Sequence, residues 1–272
     1  MTDNRPIGVF DSGIGGLTVL REIWDLVPGE GTIYFGDNGR APYGTKSKST
    51  IVKYSLQNMR FLEDQGVKMI VIACNTASAH AYSSLSRSSS VPVIEVVTPG
   101  AKAAAKATRN GKIGIIATKG SVNSGVYKDA VAKYSAAGTE IYQQACPLFV
   151  SLAEEGWWDN DITDAVCRQY LTPLKEAGID TLVLGCTHYP LLSDAIQRFM
   201  GDDVALINTG KAVAEVVKET LAECGLSGDS SDPVRAFYTS DEPELFEEVA
   251  SPFLGRGLPA GTKHFNTDRY EV

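Results

Sequence analysis

The segment Met69–Ser78, MIVIACNTAS, joins a short apolar run to a polar stretch that starts like a helix. An uncharged run of this length is typical of a strand that is buried on both faces, as in a parallel sheet. A similar pattern recurs at Thr181–His188, TLVLGCTH. Further apolar runs alternate with segments of helical spacing, and they lie at Ile7–Phe10, Thr32–Phe35, Val91–Val97, Ile113–Ala117 and Val204–Ile207. This alternation predicts an α/β protein with mainly parallel sheets.

The two cysteine-bearing runs belong to an internal repeat. Three pairs of segments match in the same order at offsets of 106, 112 and 113 residues: Ile7–Ser12 with Ile113–Thr118, Leu62–Cys74 with Leu174–Cys186, and Val91–Glu95 with Val204–Asn208. We therefore predict two similar α/β domains related by a pseudo-twofold axis, formed by residues 1–97 with 209–272 and by residues 98–208. Ligands of such sheets bind beyond the carboxyl ends of the strands, so the active site is expected in the cleft between the domains. A coincidence of short apolar strings is the alternative explanation of the matches.

The composition limits the partners of this protein. The chain has 272 residues and a net charge of −8, from 33 acidic and 25 basic side chains. Nucleic acids and anionic membranes attract clustered Lys and Arg, so the charge argues against both as partners, while a small anionic substrate stays compatible with it. The sequence contains no long uncharged apolar run and no signal-peptide pattern, and we expect a cytoplasmic protein.

The five cysteines are expected to be free thiols. Their number is odd and no C-x-x-C pair occurs, which disfavours a disulfide framework or a structural zinc site. Cys74 and Cys186 each follow an apolar run at a point where a helix is expected to begin, and backbone N–H groups there stabilise a thiolate. A free cysteine is commonly just a small buried apolar residue, but matched positions in a repeat favour reactive thiols. Cys146, Cys167 and Cys224 are expected to be structural.

Two thiols that face each other across a cleft can invert a stereocentre. One thiol removes a hydrogen from a bound carbon while the other replaces it from the opposite face. Each sulfur must lie about 3–3.5 Å from the reacting atom, so we predict that the two sulfurs are roughly 6–7 Å apart. Asp11 could assist Cys74 and His188 could assist Cys186, and a helix cap is the alternative role for Asp11.

Four motifs carry a family resemblance: FDSGIGG at Phe10–Gly16, PYG at Pro42–Gly44, ACNTA at Ala73–Ala77 and GCTHYPLL at Gly185–Leu192. Together they resemble the aspartate/glutamate racemase superfamily, and within it the cofactor-independent glutamate racemases. The two cysteine motifs mark the superfamily, whereas the other two point to the glutamate enzymes. The resemblance covers most of the chain.

The resemblance implies a role for each of these residues. Cys74 and Cys186 would be the acid/base pair that interconverts L- and D-glutamate and so supplies D-glutamate for peptidoglycan. Asp11, His188 and Glu154 would assist the proton transfers. The substrate site would be formed by Asp11, Ser12, Tyr43, Gly44, Asn75, Thr76, Thr187 and His188. Neither pyridoxal phosphate nor a metal ion is expected as a cofactor.

Other functions stay open on the sequence alone. A related racemase would use the same thiols on aspartate or another amino acid. A two-domain small-molecule binding protein would have the cleft without catalysis, and Cys186 with His188 could serve metal-assisted hydrolysis. For assembly we expect a homodimer. The expected binding partner is the small-molecule substrate, glutamate.

Overall fold

The computed structural model describes residues 2–272, and ten strands form within this range. In chain order they are β1 (Ile7–Asp11), β2 (Thr32–Gly36), β3 (Met69–Ile72), β4 (Val93–Glu95), β5 (Lys112–Ala117), β6 (Glu140–Ala145), β7 (Thr181–Gly185), β8 (Ala205–Asn208), β9 (Arg235–Thr239) and β10 (Thr262–His264).

Eleven α-helices lie between and after these strands in the described range. They are α1 (Leu17–Leu26), α2 (Lys48–Asp64), α3 (Asn75–Ser88), α4 (Val97–Ala107), α5 (Lys119–Ser124), α6 (Val126–Tyr134), α7 (Leu148–Glu154), α8 (Asp161–Glu176), α9 (Ser193–Met200), α10 (Thr209–Glu223) and α11 (Pro243–Leu254). Short 3₁₀ turns cover Asn38–Arg40, Tyr43–Thr45, Tyr189–Leu192 and Thr267–Arg269. None of these helices is long and apolar enough to cross a membrane.

The strands form two parallel sheets of related topology. The larger sheet has the order β10-β9-β2-β1-β3-β4, and the smaller has the order β6-β5-β7-β8. All the strand pairs in both sheets are parallel. The order β2-β1-β3-β4 is therefore repeated as β6-β5-β7-β8, and the strands that Cys74 and Cys186 follow, β3 and β7, occupy equivalent positions. The predicted class, α/β with mainly parallel sheets, is confirmed.

Apolar side chains on both faces hold each sheet in place. All residues of β1, β2 and β7 are buried, as their sequences predict for strands that are covered by helices on both sides. In the larger sheet, Val9 and Phe10 point to different faces and belong to different apolar clusters. The same holds for Ile115 and Ile116 in the smaller sheet. Each sheet thus has its own core.

Three strands were not predicted from the sequence. Strand β6, EIYQQA, is exposed or half-buried along its length, and it lies at the edge of its sheet. Strands β10 and β9 occupy the edge of the larger sheet and the place next to it, so the C-terminal region contributes two strands. Polar side chains in these strands interrupt the apolar runs from which buried strands are predicted. The strand predicted at Val91–Val97 is shorter, because α4 begins at Val97.

The strands divide between the sheets along the chain. The larger sheet takes its strands from residues 7–95 and 235–264, and the smaller takes its strands from residues 112–208. Helices α4 and α10 begin close to the two expected boundaries and contact each other. We keep the division into domains 1–97 with 209–272 and 98–208 as a proposal, with this helix pair as the connection.

The five cysteines are free, and four are buried. Cys146 and Cys167 pack in the apolar cluster of the smaller sheet. Cys224 is exposed, because α10 ends at Glu223 and the cysteine caps that end. The expectation that Cys224 fills the core is wrong. Cys224 continues the apolar spacing of α10 in the sequence, but this spacing no longer directs a side chain to the core once the helix has ended.

Candidate active site

A single cavity of about 240 Å³ lies where the carboxyl ends of the two sheets meet. Residues that follow strands of the larger sheet form one wall, namely Ser12, Pro42–Thr45 and Cys74–Thr76. Residues that follow strands of the smaller sheet form the other wall, namely Thr118, Lys119, Pro147, Val150, Ser151 and Cys186–His188. Cys74 and Cys186 therefore line the same cavity from opposite sheets.

Cys74 sits at the junction of β3 and α3, where its sequence motif placed it. It is the N-cap residue of α3, and its Sγ accepts a hydrogen bond from the backbone N–H of Ala77 at 3.4 Å. The thiol also donates to Oγ of Ser12 at 3.5 Å. Burial raises the pKa of Cys74 to about 12, and the carboxylate of Asp11 adds to this effect against the two hydrogen bonds. Without substrate, Cys74 is therefore a neutral thiol.

Cys186 follows β7 at the equivalent position but does not cap a helix. A turn and the 3₁₀ segment Tyr189–Leu192 come first, and α9 begins only at Ser193. The prediction of a helix N-terminus at Cys186 is therefore wrong. Pro190 lies in the short 3₁₀ turn that stands in its place. The charged neighbour of Cys186 is instead a side chain, since Nδ1 of His188 lies 3.7 Å from Sγ.

His188 forms the middle of a chain of three polar groups. Its Nε2 lies 3.0 Å from Oε1 of Glu154 at the end of α7, and its Nδ1 faces Cys186. Burial lowers the pKa of His188, but the hydrogen bonds with Cys186 and Glu154 outweigh it and raise the pKa from 6.5 to about 10. At neutral pH the ring is an imidazolium, and it places a positive charge beside the sulfur of Cys186.

The Gly-rich loop after β1 and the side chain of Thr18 in the first turn of α1 pack against the Cys186 side of the site. Thr18 donates to the carbonyl of Thr187 at 2.8 Å. A Cβ atom on Gly15 would lie 2.3 Å from Oγ1 of Thr187 and 2.6 Å from Nδ1 of His188. Real Cβ contacts of this kind do not occur, so only glycine at position 15 allows the loop to pack against His188. The loop of one sheet thus supports the thiol of the other.

Asp11 is fully buried and does not line the cavity. Its Oδ2 accepts from the backbone N–H groups of Gly13 and Gly16, at 3.2 and 3.0 Å, just before α1 begins. Its Oδ1 has no hydrogen-bond partner within the described residues. Burial raises the pKa of Asp11, and the nearby His188 charge opposes this shift. The carboxylate orders the loop before α1 but does not cap the helix itself, so the prediction of a helix cap is wrong. Its effect on Cys74 is compatible with the assisting role.

The polar groups of the cavity come from both sheets and meet across it. Oγ1 of Thr76 lies 3.2 Å from Oγ1 of Thr118. The side-chain Oδ1 of Asn75 accepts a hydrogen bond from the hydroxyl of Tyr127, which belongs to α6 on the other side. Nδ2 of Asn75 is buried and has no partner among the described residues. This unpaired donor lies on the cavity wall, where a ligand oxygen could accept from it.

The expected site residues fall into two groups. Ser12, Tyr43, Gly44, Asn75, Thr76, Thr187, His188 and the two cysteines line the cavity, whereas Asp11 and Glu154 lie behind them. Seven lining residues are not among the predicted site residues: Pro42, Thr45, Thr118, Lys119, Pro147, Val150 and Ser151. Lys119 could have been found, because it follows β5, the repeat partner of β1.

No group of three His, Cys, Asp or Glu side chains that could hold a metal ion occurs in residues 2–272. The donors around the cavity are hydroxyls, amides, thiols, one imidazole and the ammonium group of Lys119. This set suits an anionic substrate that accepts hydrogen bonds.

Comparisons with known proteins agree with this geometry. Residues 7–217 match the model of the Asp/Glu/Hydantoin racemase family. The chain is 47% identical over 255 residues to the glutamate racemase of Geobacter metallireducens, covering 93% of this chain and 94% of that protein. It is 48% identical over 256 residues to the glutamate racemase of Neisseria meningitidis serogroup A, with 93% and 94% coverage. The crystal structure of glutamate racemase from Francisella tularensis in complex with D-glutamate superposes with a TM-score of 0.91 at 39% identity, covering 98% of this chain and 100% of that chain.

Proposed function

The chain belongs to the Asp/Glu/hydantoin racemase family, and we propose that it interconverts L- and D-glutamate with Cys74 and Cys186 as the acid/base pair. As a member of this family it is an amino-acid racemase, an isomerase. The observation that carries the proposal is the position of the two thiols. They follow equivalent strands of two sheets and line one cavity from opposite walls.

The reaction needs no group beyond the two thiols and the substrate. The thiolate of one cysteine takes the proton from the α-carbon, so that the C–H bond breaks and an S–H bond forms. The electron pair of the C–H bond spreads into the substrate carboxylate. The thiol of the other cysteine then donates its proton to the opposite face of the α-carbon and becomes the thiolate. The product has the inverted configuration, and the two cysteines have exchanged roles.

At the start of the reaction one cysteine must be a thiolate and the other a thiol, and the surroundings of the two residues suit this difference. The buried Cys74, with its raised pKa, is a proton donor before substrate binds. The imidazolium of His188 stabilises negative charge on Cys186, and Glu154 holds the ring in place. We assign Cys186 as the base and Cys74 as the acid in one direction of the reaction. Asp11, behind Cys74, assists the return of the proton in the other direction.

The substrate carboxylates and ammonium group match the donors and acceptors of the walls. We propose that the unpaired Nδ2 of Asn75 and the first N–H groups of α3 bind one carboxylate. The hydroxyls of Ser12, Thr76 and Thr187 supply further hydrogen bonds, and Tyr43 and Gly44 close the wall. These donors, together with the ammonium of Lys119 and the imidazolium of His188 on the same walls, explain how a protein with a net charge of −8 binds an acidic substrate.

Incubation with each enantiomer of glutamate in deuterated water tests this function. We expect the optical rotation to decay to zero together with incorporation of deuterium at the α-carbon, because the donated proton comes from a thiol that exchanges with solvent. Aspartate serves as the comparison substrate and should react much more slowly. Binding without any α-deuterium would identify a binding protein, and faster reaction of aspartate would assign the related racemase; either result overturns the proposal.

The setting of the reaction follows from the same proposal. D-glutamate formed by the enzyme would enter peptidoglycan synthesis, and a reducing cytoplasm would keep both thiols free. We further propose a homodimer, the commonest symmetric assembly of soluble proteins. Sedimentation equilibrium measures the assembly state directly, and a mass of about one chain across the concentration range would contradict a dimer.

A further inference from the structure

Arg40 lies in a polar network behind the cavity wall, next to the turn that carries Tyr43. Its side chain is only 12% exposed. Its Nε donates to both carboxylate oxygens of Asp37 at 2.9 Å, and its two terminal nitrogens donate to Gln57 at 2.6 Å and to Asn58 at 2.9 Å. The guanidinium also stacks on the ring of Tyr54, at 4.1 Å from its centroid. Few surface arginines have so many partners, and none of these groups touches the cavity.

Asp37 connects this network to the cavity. Its carboxylate is fully buried, and it accepts hydrogen bonds from Arg40 and from the hydroxyl of Tyr43. Oγ of Ser240 donates to the same carboxylate at 2.8 Å, and Nδ2 of Asn58 donates to the Tyr43 hydroxyl at 3.1 Å. Tyr43 is itself a wall residue. The orientation of its ring is therefore set by Asp37 and, through Asp37, by Arg40.

The C-terminal segment Thr267–Tyr270 supplies the other end of the network. Oγ1 of Thr267, a residue that is 1% exposed, accepts from Arg40 at 2.6 Å. Nε2 of Gln57 donates to the carbonyl of Tyr270 at 3.0 Å. Asp268 also faces Arg40 at 3.1 Å, but its side chain is 66% exposed, so solvent weakens this ion pair. The segment thus contacts Arg40 chiefly through the buried hydroxyl of Thr267.

We propose that Arg40 is a positioning residue. The segment Thr267–Tyr270 holds the Arg40 side chain in place, and Arg40, through Asp37, fixes the position of Tyr43 and of the cavity wall Pro42–Thr45. The proposal rests on the proposed function, because it assigns these residues to the binding of the racemase substrate. Hydrogen bonds to a buried charged group have more directional strength than those between neutral groups. A wall residue that shifts by a fraction of an ångström loses its fit to the substrate. The last residues of the chain therefore take part in substrate binding without touching the substrate.

A set of isosteric variants at the C-terminal segment tests this role. Thr267→Val removes the hydroxyl that accepts from Arg40 and keeps the shape, whereas Thr267→Ser restores the hydroxyl. Thr262→Val is the matched control, because its hydroxyl is also buried near the C-terminus but has no hydrogen-bond partner within the described residues. KM and kcat for both glutamate enantiomers are measured for each variant, together with backbone hydrogen exchange of residues 38–46 at a temperature where all variants are folded.

Thr267→Val is expected to raise KM about fivefold with kcat changed by less than about twofold, since a hydrogen bond to a charged group is lost behind the binding wall. Thr267→Ser should restore KM, and Thr262→Val should leave it unchanged. The amides of Arg40, Ala41 and Lys46, which are bonded within the two turns, should exchange faster only in Thr267→Val. A fall in kcat at constant KM would mean partial loss of folded enzyme and would overturn the proposal.

The exchange measurement keeps this proposal separate from the proposed function. If the wild-type protein does not racemise glutamate, the function fails, yet faster exchange in Thr267→Val alone still supports the anchorage of the wall. If the wild-type protein racemises glutamate and Thr267→Val matches Thr262→Val in KM and in exchange, the anchorage is wrong and the function stands.

Discussion

Sγ of Cys186 lies 3.7 Å from Nδ1 of His188, whereas Cys74 faces only the hydroxyl of Ser12 and a backbone N–H. The two thiols of the candidate pair are thus equivalent in the fold but not in their electrostatic environment. One has a cation beside it and the other has the carboxylate of Asp11 behind it. The chemistry is symmetric only once substrate binds between them.

This asymmetry predicts different reactivities of the two thiols in the absence of substrate. At pH 7, iodoacetamide should label Cys186 about tenfold faster than Cys74 or more, because burial raises the pKa of the Cys74 thiol to about 12, the thiolate is the reactive form, and the His188 cation lies beside Cys186. The two residues are 6% and 5% exposed, so accessibility does not explain a difference. Peptide mapping by mass spectrometry resolves the two sites from the exposed Cys224. Equal labelling rates, or faster labelling of Cys74, would contradict the assignment of His188 as a cation.

His188→Gln provides the matched test of the same charge. The amide keeps a hydrogen-bonding group near Cys186 but is uncharged at any pH of interest. Labelling of Cys186 should fall towards the rate of Cys74, while labelling of Cys74 should change little. If the variant labels Cys186 as fast as the wild type, then the imidazolium is not what activates that thiol.

The raised pKa of His188 also predicts how stability depends on pH. The folded protein holds this proton up to about pH 10, whereas the unfolded chain releases it near 6.5. The stabilisation by the proton is therefore fully present below about pH 6.5 and is lost as the pH rises through 10. The difference in free energy of unfolding between wild type and His188→Gln should decrease from pH 6.5 to pH 10, as measured by urea denaturation. A difference that stays constant over this range would show that His188 is neutral in the folded protein.

Gly15 and Gly13 offer a paired test of the loop that supports the second thiol. Gly15→Ala places a methyl group against Thr187 and His188, and kcat should fall by at least about tenfold because these residues must move. Gly13→Ala meets no atom closer than 3.9 Å, so its activity should stay within about twofold of the wild type. Steady-state kinetics of the two purified variants decide the matter. Similar losses of kcat in both variants would mean that any side chain disrupts the loop, and that the contacts of position 15 with Thr187 and His188 are not the cause.

Lys119 should attract the substrate to the mouth of the cavity. It is exposed, lines the cavity and forms no ion pair within the described part of the chain. Lys119→Gln should raise KM about fivefold at low ionic strength, and the effect should shrink as salt screens the charge. Lys128→Gln on α6 removes an exposed charge that does not line the cavity and serves as the control. The same KM change in both variants, or no salt dependence, would speak against a local role for Lys119.

The sequence predicted the parts of this protein where local chemistry decides the structure. Apolar runs mark β1, β3, β5 and β7, since these strands are covered on both faces, and the cysteine motifs follow two of them. Strand β6 was missed because it forms a sheet edge and its side chains are only partly buried. Edge pairing depends on the neighbouring strand more than on the strand's own residues.

Contacts between distant segments explain the other differences. Val150 and Ser151 reach the cavity only because the two sheets face each other, and no pattern near either residue indicates it. The network from Thr267 through Arg40 to Tyr43 joins residues more than two hundred positions apart. Such packing is a property of the folded chain. The motif around Cys74, in contrast, contains its strand end, its helix cap and its thiol within a few residues.

The most direct test of the central claim follows α-hydrogen exchange in deuterated water for Cys74→Ala and Cys186→Ala, each with pure L-glutamate and pure D-glutamate. Each variant is expected to lose racemisation by about a thousandfold or more, because one of the two proton-transfer groups is missing. Each should still exchange the α-hydrogen of one enantiomer without inverting it, and the preferred enantiomer should be opposite in the two variants. Racemisation at the wild-type rate in both variants would contradict the assignment of these two thiols.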